Sequence, residues 1–223
     1  MRLIGIMGSP HGMRGNTGKV LTSLLEAAKG AGAEVTIYCL DDMKVAPCRG
    51  CDVCHKTGRC AIEDDFSVPR QAMVDAEAIV LASPNYLFSV SAQMKAFFDR
   101  CCGPLHLQAL EGKYAAAVVT SGGAGYEEVE RYMLRFLRSL GCWTVGSAGT
   151  EASRLLDDTT AAPVLESAAA LGRQLVVATE TGQPMPEQQA EREAFYRRMK
   201  DLMIRQQERW PYEYEYWRAL GRL

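Results

Sequence analysis

Eight cysteines stand in this chain of 223 residues, and four of them crowd into one stretch as Cys48-x2-Cys51-x2-Cys54-x5-Cys60. Thiols at x2 spacing can turn their sulfurs toward one point. An iron–sulfur cube takes four thiolates, and related x2 runs serve bacterial ferredoxin clusters. Zinc more often takes two separated Cys-x-x-Cys knuckles, or cysteine and histidine pairs. No second knuckle follows Cys60, so the spacing favours iron–sulfur over zinc. The competing readings are a cysteine-rich loop that binds nothing and a redox thiol pair. Arg49, His55, Lys56 and Arg59 lie among these thiols. Positive charge there favours thiolate and raises a cluster's potential. Cys39, Cys101, Cys102 and Cys142 read as packing residues, as free cysteines often are. The sequence offers no role for His106.

A second constellation is Gly8-Ser9-Pro10-His11-Gly12-Met13-Arg14-Gly15-Asn16-Thr17. Glycines let a backbone turn tightly and approach a ligand closely. Ser9, Asn16 and Thr17 can donate hydrogen bonds, and a helix beginning here presents free N–H groups to an anion. The pattern is a cradle for a monophosphate. It lacks the Gly-Lys-Ser/Thr of a Walker loop and the Gly-x-Gly-x-x-Gly of dinucleotide sites. An ordinary glycine-rich turn is the plain alternative. Two further loops have matching chemistry: Pro84-Asn85-Tyr86-Leu87-Phe88 offers aromatic surface and amides, and Ser121-Gly122-Gly123-Ala124-Gly125 offers close backbone approach. A flat tricyclic ring needs that combination.

Loops like these must be carried by a scaffold. Short apolar runs at residues 3–7, 34–40, 78–82, 114–120 and 143–148 read as buried strands. Amphipathic stretches beginning at Asn16 and ending near Gly30, and at 91–102, 127–140 and 161–178, read as helices between or after them. Alternation of this kind predicts an α/β fold: a doubly wound, five-stranded parallel sheet, flavodoxin-like, in the order 2-1-3-4-5. All three loops then fall at the carboxyl edge of strands 1, 3 and 4. Residues 1–182 read as one domain, with 41–65 as a cysteine-rich loop. Residues 183–223 read as a C-terminal helix and aromatic tail, whose rings would form an exposed apolar patch unless they covered a partner subunit or a neighbour's flavin mouth; packing back on the same chain is the alternative.

Gly8-Ser9-Pro10 with Gly15-Asn16-Thr17, Ser83-Pro84-Asn85-Tyr86, and above all the run Ser-Ala-Gln-Met-Lys-Ala-Phe-Phe-Asp-Arg ending at Arg100, resemble the NADPH-dependent FMN reductase family over about the first 150 residues. That resemblance implies FMN, with Ser9, Asn16 and Thr17 at the phosphate. It also implies Pro84, Asn85, Tyr86, Leu87 and Phe88 at the ring, and Ser121, Gly122 and Gly123 at its far edge. The family usually has a basic residue after Gly-Ser-Pro; this chain has His11, with Arg14 beyond. The compact cysteine run, Pro47 before it, Ile62-Glu63-Asp64-Asp65 after it and the tail at 211–217 resemble the iron–sulfur flavoprotein subfamily. That likeness implies a 4Fe–4S cluster on Cys48, Cys51, Cys54 and Cys60, and a homo-oligomer, dimer or tetramer. The expected function is electron transfer between FMN, the cluster and a redox partner such as a ferredoxin or NAD(P)H. A cluster-free NAD(P)H-dependent FMN or quinone reductase, and a non-enzymatic module with a structural zinc loop, are the alternatives.

Composition sets the outer bounds. Net charge is −2, and no basic stripe invites nucleic acid or an anionic membrane. No apolar run approaches a membrane span's roughly 20 residues, and the first seven residues lack a signal peptide's pattern. The expected location is the cytoplasm, where cysteines serve as ligands or redox groups more often than as disulfides.

Overall fold

The computed structural model describes all 223 residues. Five strands, β1 (Arg2–Met7), β2 (Glu34–Cys39), β3 (Ala78–Pro84), β4 (Tyr114–Ser121) and β5 (Trp143–Glu151), form one sheet. Every pairing is parallel and the spatial order is 2-1-3-4-5, as the alternation predicts. Every residue of β3 and β4 is buried, because parallel sheets are covered by helices on both faces. β2, at the edge, is partly exposed along its length.

Side chains alternate across the sheet and build two cores. On one face Leu3, Val80, Ala116 and Val118 meet Leu21 and Leu24 of α1 (Asn16–Gly30). On the other, Ile4, Ile79, Leu81 and Val119 meet buried residues of three helices. These are Met73 of α3 (Ser67–Asp75), Phe97 of α4 (Ala92–Asp99) and Leu137 of α6 (Tyr126–Ser139); the short α2 (Val53–Thr57) precedes them in the cysteine loop. Between α4 and α6 in the chain lies a one-turn helix, α5 (Cys102–His106). The first core is closed by Leu171 and Leu175 of α7 (Asp158–Thr181). There Gly172 is required: a Cβ would sit 2.2 Å from the Leu24 carbonyl oxygen of α1.

One departure from the sequence expectation has a physical cause. The helix expected over 91–102 stops at Asp99 and restarts as α5. Pro104 has no N–H for the carbonyl of residue 100, and its ring would clash with that carbonyl in a continuous helix. Part of the tail packs back on its own chain. It folds as α8 (Pro186–Arg205) and α9 (Pro211–Ala219), and Trp217 is fully buried with Leu107, Met199 and Met203 of the same chain. Tyr212 packs on the cysteine loop, where a Cβ at Gly58 would meet its ring at 2.3 Å.

Candidate functional site

A cleft of about 480 Å³ opens at the carboxyl edge of β1, β3 and β4. It is lined by Ser9, His11, Asn16, Thr17, Pro84, Asn85, Tyr86, Ser121 and Gly122 from the expected set. Gly15 of the same first loop lines it too, as do Thr120 and Ala152, which sequence reasoning missed; Thr120 reads only as the end of a strand. Leu87, Phe88 and Gly123 are not part of the lining.

The first loop is shaped by its neighbours. Ser91 caps α4 by accepting from the Met94 amide at 3.2 Å, and its hydroxyl donates to the Gly8 carbonyl. A Cβ on Gly8 would meet Met94 Cβ at 2.7 Å, so only glycine lets the chain pass α4. The N-terminus of α1 has no side-chain cap, which leaves its amides free for an anion. Thr17 Oγ1 lies 2.6 Å from Thr120 Oγ1, a bond that joins the α1 start to the end of β4. His11 is exposed on the rim.

The loop after β3 is strained. Tyr86 and Ser89 exchange backbone hydrogen bonds at 2.8 and 3.1 Å. The two central residues, Leu87 and Phe88, have φ of 50° and 62°. Tight turns of this kind normally carry Asn-Gly, and a bulky residue in the left-handed region costs about 1–2 kcal/mol. Both side chains also face outward, Leu87 at 95% and Phe88 at 72% exposure. Strain combined with exposed apolar surface marks a functional loop rather than a packing one. Asn85 ties it to the β4 loop, its amide Nδ2 donating to the Ala124 carbonyl at 3.0 Å.

Two buried oxygens here, Asn85 Oδ1 and Ser121 Oγ, have no hydrogen-bond partner. Buried polar atoms are rarely left so. An acceptor and a hydroxyl beside a strained aromatic loop, across from uncapped helix amides, fit a ligand with a flat polar-edged ring and a phosphate.

The four cysteines of the x2 run lie on the loop between β2 and α3. Its neck is closed where Lys44 and Ala46 amides donate to Asp65 and Asp64 at 2.7 and 2.8 Å. Arg100, just beyond α4, clamps that neck. Its guanidinium donates to Asp64 Oδ2 at 2.5 Å, to the Ile62 carbonyl at 3.1 Å and to Cys60 Sγ at 3.2 Å. It also lies 4.3 Å over the Phe66 ring. Burial works to raise the Asp64 carboxyl, but hydrogen bonds from Arg100 and the Ala46 and Phe66 amides outweigh it and hold the group below the ordinary carboxylate range. Cys48 and Cys51 are exposed, and Cys54 and Cys60 half-buried. No three of these sulfurs lie within 4.8 Å of one another. A single tetrahedral ion would draw them to about 4 Å, whereas a four-iron cube holds its thiolates wider. The donor set, four free thiols on one clamped loop with an N–H donor at Cys60, fits the cube.

Beneath this loop the structure gathers His55 and Cys102 with two residues the sequence left unassigned, His106 and Glu213. His55 Nδ1 and His106 Nδ1 lie 2.6 and 2.9 Å from the two oxygens of Glu213, which is fully buried on α9. Cys102 Sγ lies 3.8 Å from His106 Nε2. Hydrogen bonds from both imidazoles draw the Cys102 thiol down to about 6, against its burial. Cys102 is therefore not inert packing, while Cys101 and Cys142 are buried as expected. The pairing of Glu213 with residues 107 and 158 positions away left no local signal in the sequence.

No helix is long and apolar enough to cross a membrane. The profile of the NADPH-dependent FMN reductase family matches residues 1–153. An iron-sulfur flavoprotein of Archaeoglobus fulgidus is 38% identical over 149 residues, 66% of this chain and 67% of that protein. An iron-sulfur flavoprotein of Methanocaldococcus jannaschii is 40% identical over 100 residues, 45% of this chain and 51% of that one. The chain thus spans between half and two thirds of these relatives' lengths. A solved flavone reductase shares the fold, with a TM-score of 0.66 at 16% identity over 83% of this chain and 66% of its own. With the sheet order, the cleft and the profile in agreement, the chain belongs to the NADPH-dependent FMN reductase family, in its iron–sulfur flavoprotein branch.

Proposed function

We propose that this protein is an FMN-dependent electron-transfer oxidoreductase that pairs the flavin with a 4Fe–4S cluster. The observation that carries the flavin is the cleft at the switch point, with its two unpartnered buried oxygens. Ser9, Asn16, Thr17 and the α1 amides hold the phosphate, with His11 on the rim. Pro84, Asn85 and Tyr86 flank the ring, Leu87 and Phe88 give it apolar surface from the outer side, and Ser121, Gly122 and Gly123 lie along its far edge. Cys48, Cys51, Cys54 and Cys60 hold the cluster. Bound together, a flavin that takes one or two electrons and a cluster that takes one can divide an electron pair. The chain supplies the binding, the spacing and the environment. The Arg100 N–H at Cys60 raises the cluster's potential, because hydrogen bonds to the sulfurs are one of the protein's levers.

The donor or acceptor is a reduced nicotinamide or a small one-electron carrier. Eight free thiols suit a reducing, cytoplasmic setting. The functional unit is a homo-oligomer that brings the exposed cysteine loop of one subunit toward the cleft of another. Support for that arrangement comes from exposure: Cys48 and Cys51 lie open on the loop, and Leu87 and Phe88 present uncovered apolar surface beside the cleft. Light scattering at micromolar concentration is expected to give a dimer or larger; a monomer would remove this part.

Releasing the flavin by denaturation and identifying it on a column tests the cleft. One FMN per chain is expected, because the cradle serves one phosphate. Stoichiometric FAD would overturn the assignment.

A further inference from the structure

We propose that His55, Cys102 and His106 form a second metal site, distinct from the four-cysteine set, that takes a single Zn²⁺. It goes beyond the electron-transfer reading and does not depend on it.

Three short elements that are far apart in sequence meet here: α2 brings His55, α5 brings Cys102 and His106, and α9 brings Glu213. One ligand atom from each of His55, Cys102 and His106 lies within 4.8 Å of the others, and the Cys102 sulfur is already 3.8 Å from His106 Nε2. Around a tetrahedral zinc, sulfur and nitrogen ligands stand about 3.6 Å apart given the usual bond lengths. The site therefore needs to contract only by about 1 Å to close on an ion. The two imidazoles are stacked, 4.8 Å between centroids, and both turn Nδ1 to Glu213, which leaves Nε2 of each ring away from that carboxylate.

Glu213 is what distinguishes this cluster from packing. It is a fully buried carboxylate whose two oxygens are each taken by a histidine Nδ1. A ligating histidine almost always gives its other N–H to a carboxylate, which fixes the tautomer and leaves the second nitrogen's lone pair for the metal. Here one carboxylate does this for two histidines at once. With both Nδ1 atoms held by Glu213, the two Nε2 atoms and the Cys102 sulfur are left facing one another. A divalent cation meets all three. Asp52 Oδ1, 4.0 Å from His55 Nε2, is the nearby carboxylate on the solvent side, and water completes the fourth position. Two nitrogens and one sulfur are a borderline-soft set suited to zinc. Trp210 covers both rings at 4.6 and 5.0 Å and screens the site. A metal here would pin α9 beneath the cysteine loop.

The test uses the full-length chain, stripped with chelator and titrated with Co²⁺ as the optical probe. The background is Cys48→Ser/Cys51→Ser/Cys54→Ser/Cys60→Ser, which removes the four competing thiols of the loop, Cys54 beside His55 included. One Co²⁺ per chain is expected, with a thiolate charge-transfer band and intense tetrahedral visible bands, displaced by one equivalent of Zn²⁺. Adding Cys102→Ser should abolish the charge-transfer band. Adding Glu213→Gln should weaken binding by about tenfold to a hundredfold. A background variant that binds no Co²⁺ while keeping its circular dichroism would overturn the site, as would a spectrum unchanged by Cys102→Ser. Should the quadruple variant misfold, zinc analysis decides on wild type carrying its iron. One zinc per chain that disappears in Cys102→Ser supports the site, and zinc that is absent or unaffected refutes it. Iron and sulfide content report the other centre separately, so either can fail alone.

Discussion

Asn85 Oδ1 and Ser121 Oγ are buried without partners, although each such atom costs about 1–3 kcal/mol. A fold keeps such a cost where a ligand repays it. Ser121→Ala separates the two roles. With no internal bond to lose, the variant should be as stable as wild type or slightly more so, yet bind FMN about fivefold more weakly, one neutral hydrogen bond of about 1 kcal/mol. Thermal unfolding and flavin titration read the two numbers; equal affinity would remove Ser121 from the site. At this scale residue type carried far. Ser9, Asn16, Thr17 and Asn85 are legible because small polar residues beside glycines at a strand end have few other uses. Thr17 proves to be shared, since its hydroxyl also bonds Thr120. Thr120 was invisible, because a threonine closing an apolar run reads as strand. His106 and Glu213 were invisible because their meaning lies in a pairing across 107 residues.

Arg100 shows what an element end can do. The helix expected to run through it stops at Asp99, and its guanidinium, almost wholly buried, holds Asp64 and Cys60 together. Removing the carboxylate leaves that charge unpaired, so Asp64→Asn should cost about 2 kcal/mol at neutral pH. The sign with pH follows from the depressed Asp64 value. Stability from a lowered carboxylate is present above its unfolded value, about 3.9, and is lost as pH falls through the folded one. Denaturant melts of the two proteins should therefore differ at pH 7 and converge below about pH 4. A gap that persists in strong acid would mean that the ion pair is not its source. The strands were legible at this scale because buried parallel strands are uninterrupted apolar runs between glycines. The break before α5 was also available in principle, from Pro104. What was not available was the reason Arg100 stands there, since its partners lie 36 to 54 residues away.

The whole molecule sets a cleft at the switch point of a 2-1-3-4-5 sheet and a clamped thiol loop at the far end of α4. Order of strands and place of cleft were legible together, because right-handed crossovers leave few ways to wind five alternating strands. The tail was legible only as a helix with aromatic rings in need of cover; that α8 supplies Met199 and Met203 against Trp217 depends on tertiary packing that leaves no local signal. The central claim is that one chain holds FMN in the cleft and a four-iron cluster on Cys48, Cys51, Cys54 and Cys60. The most direct measurement is iron, sulfide and flavin content of anaerobically purified wild type and Cys51→Ser. Wild type should carry about four iron and four sulfide per chain with one FMN, and absorb broadly beyond the flavin bands. Cys51→Ser should lose the iron, the sulfide and that absorption while keeping its FMN. A wild type that holds flavin but takes up no cluster on anaerobic reconstitution, or a Cys51→Ser protein that keeps its full iron, would contradict the account.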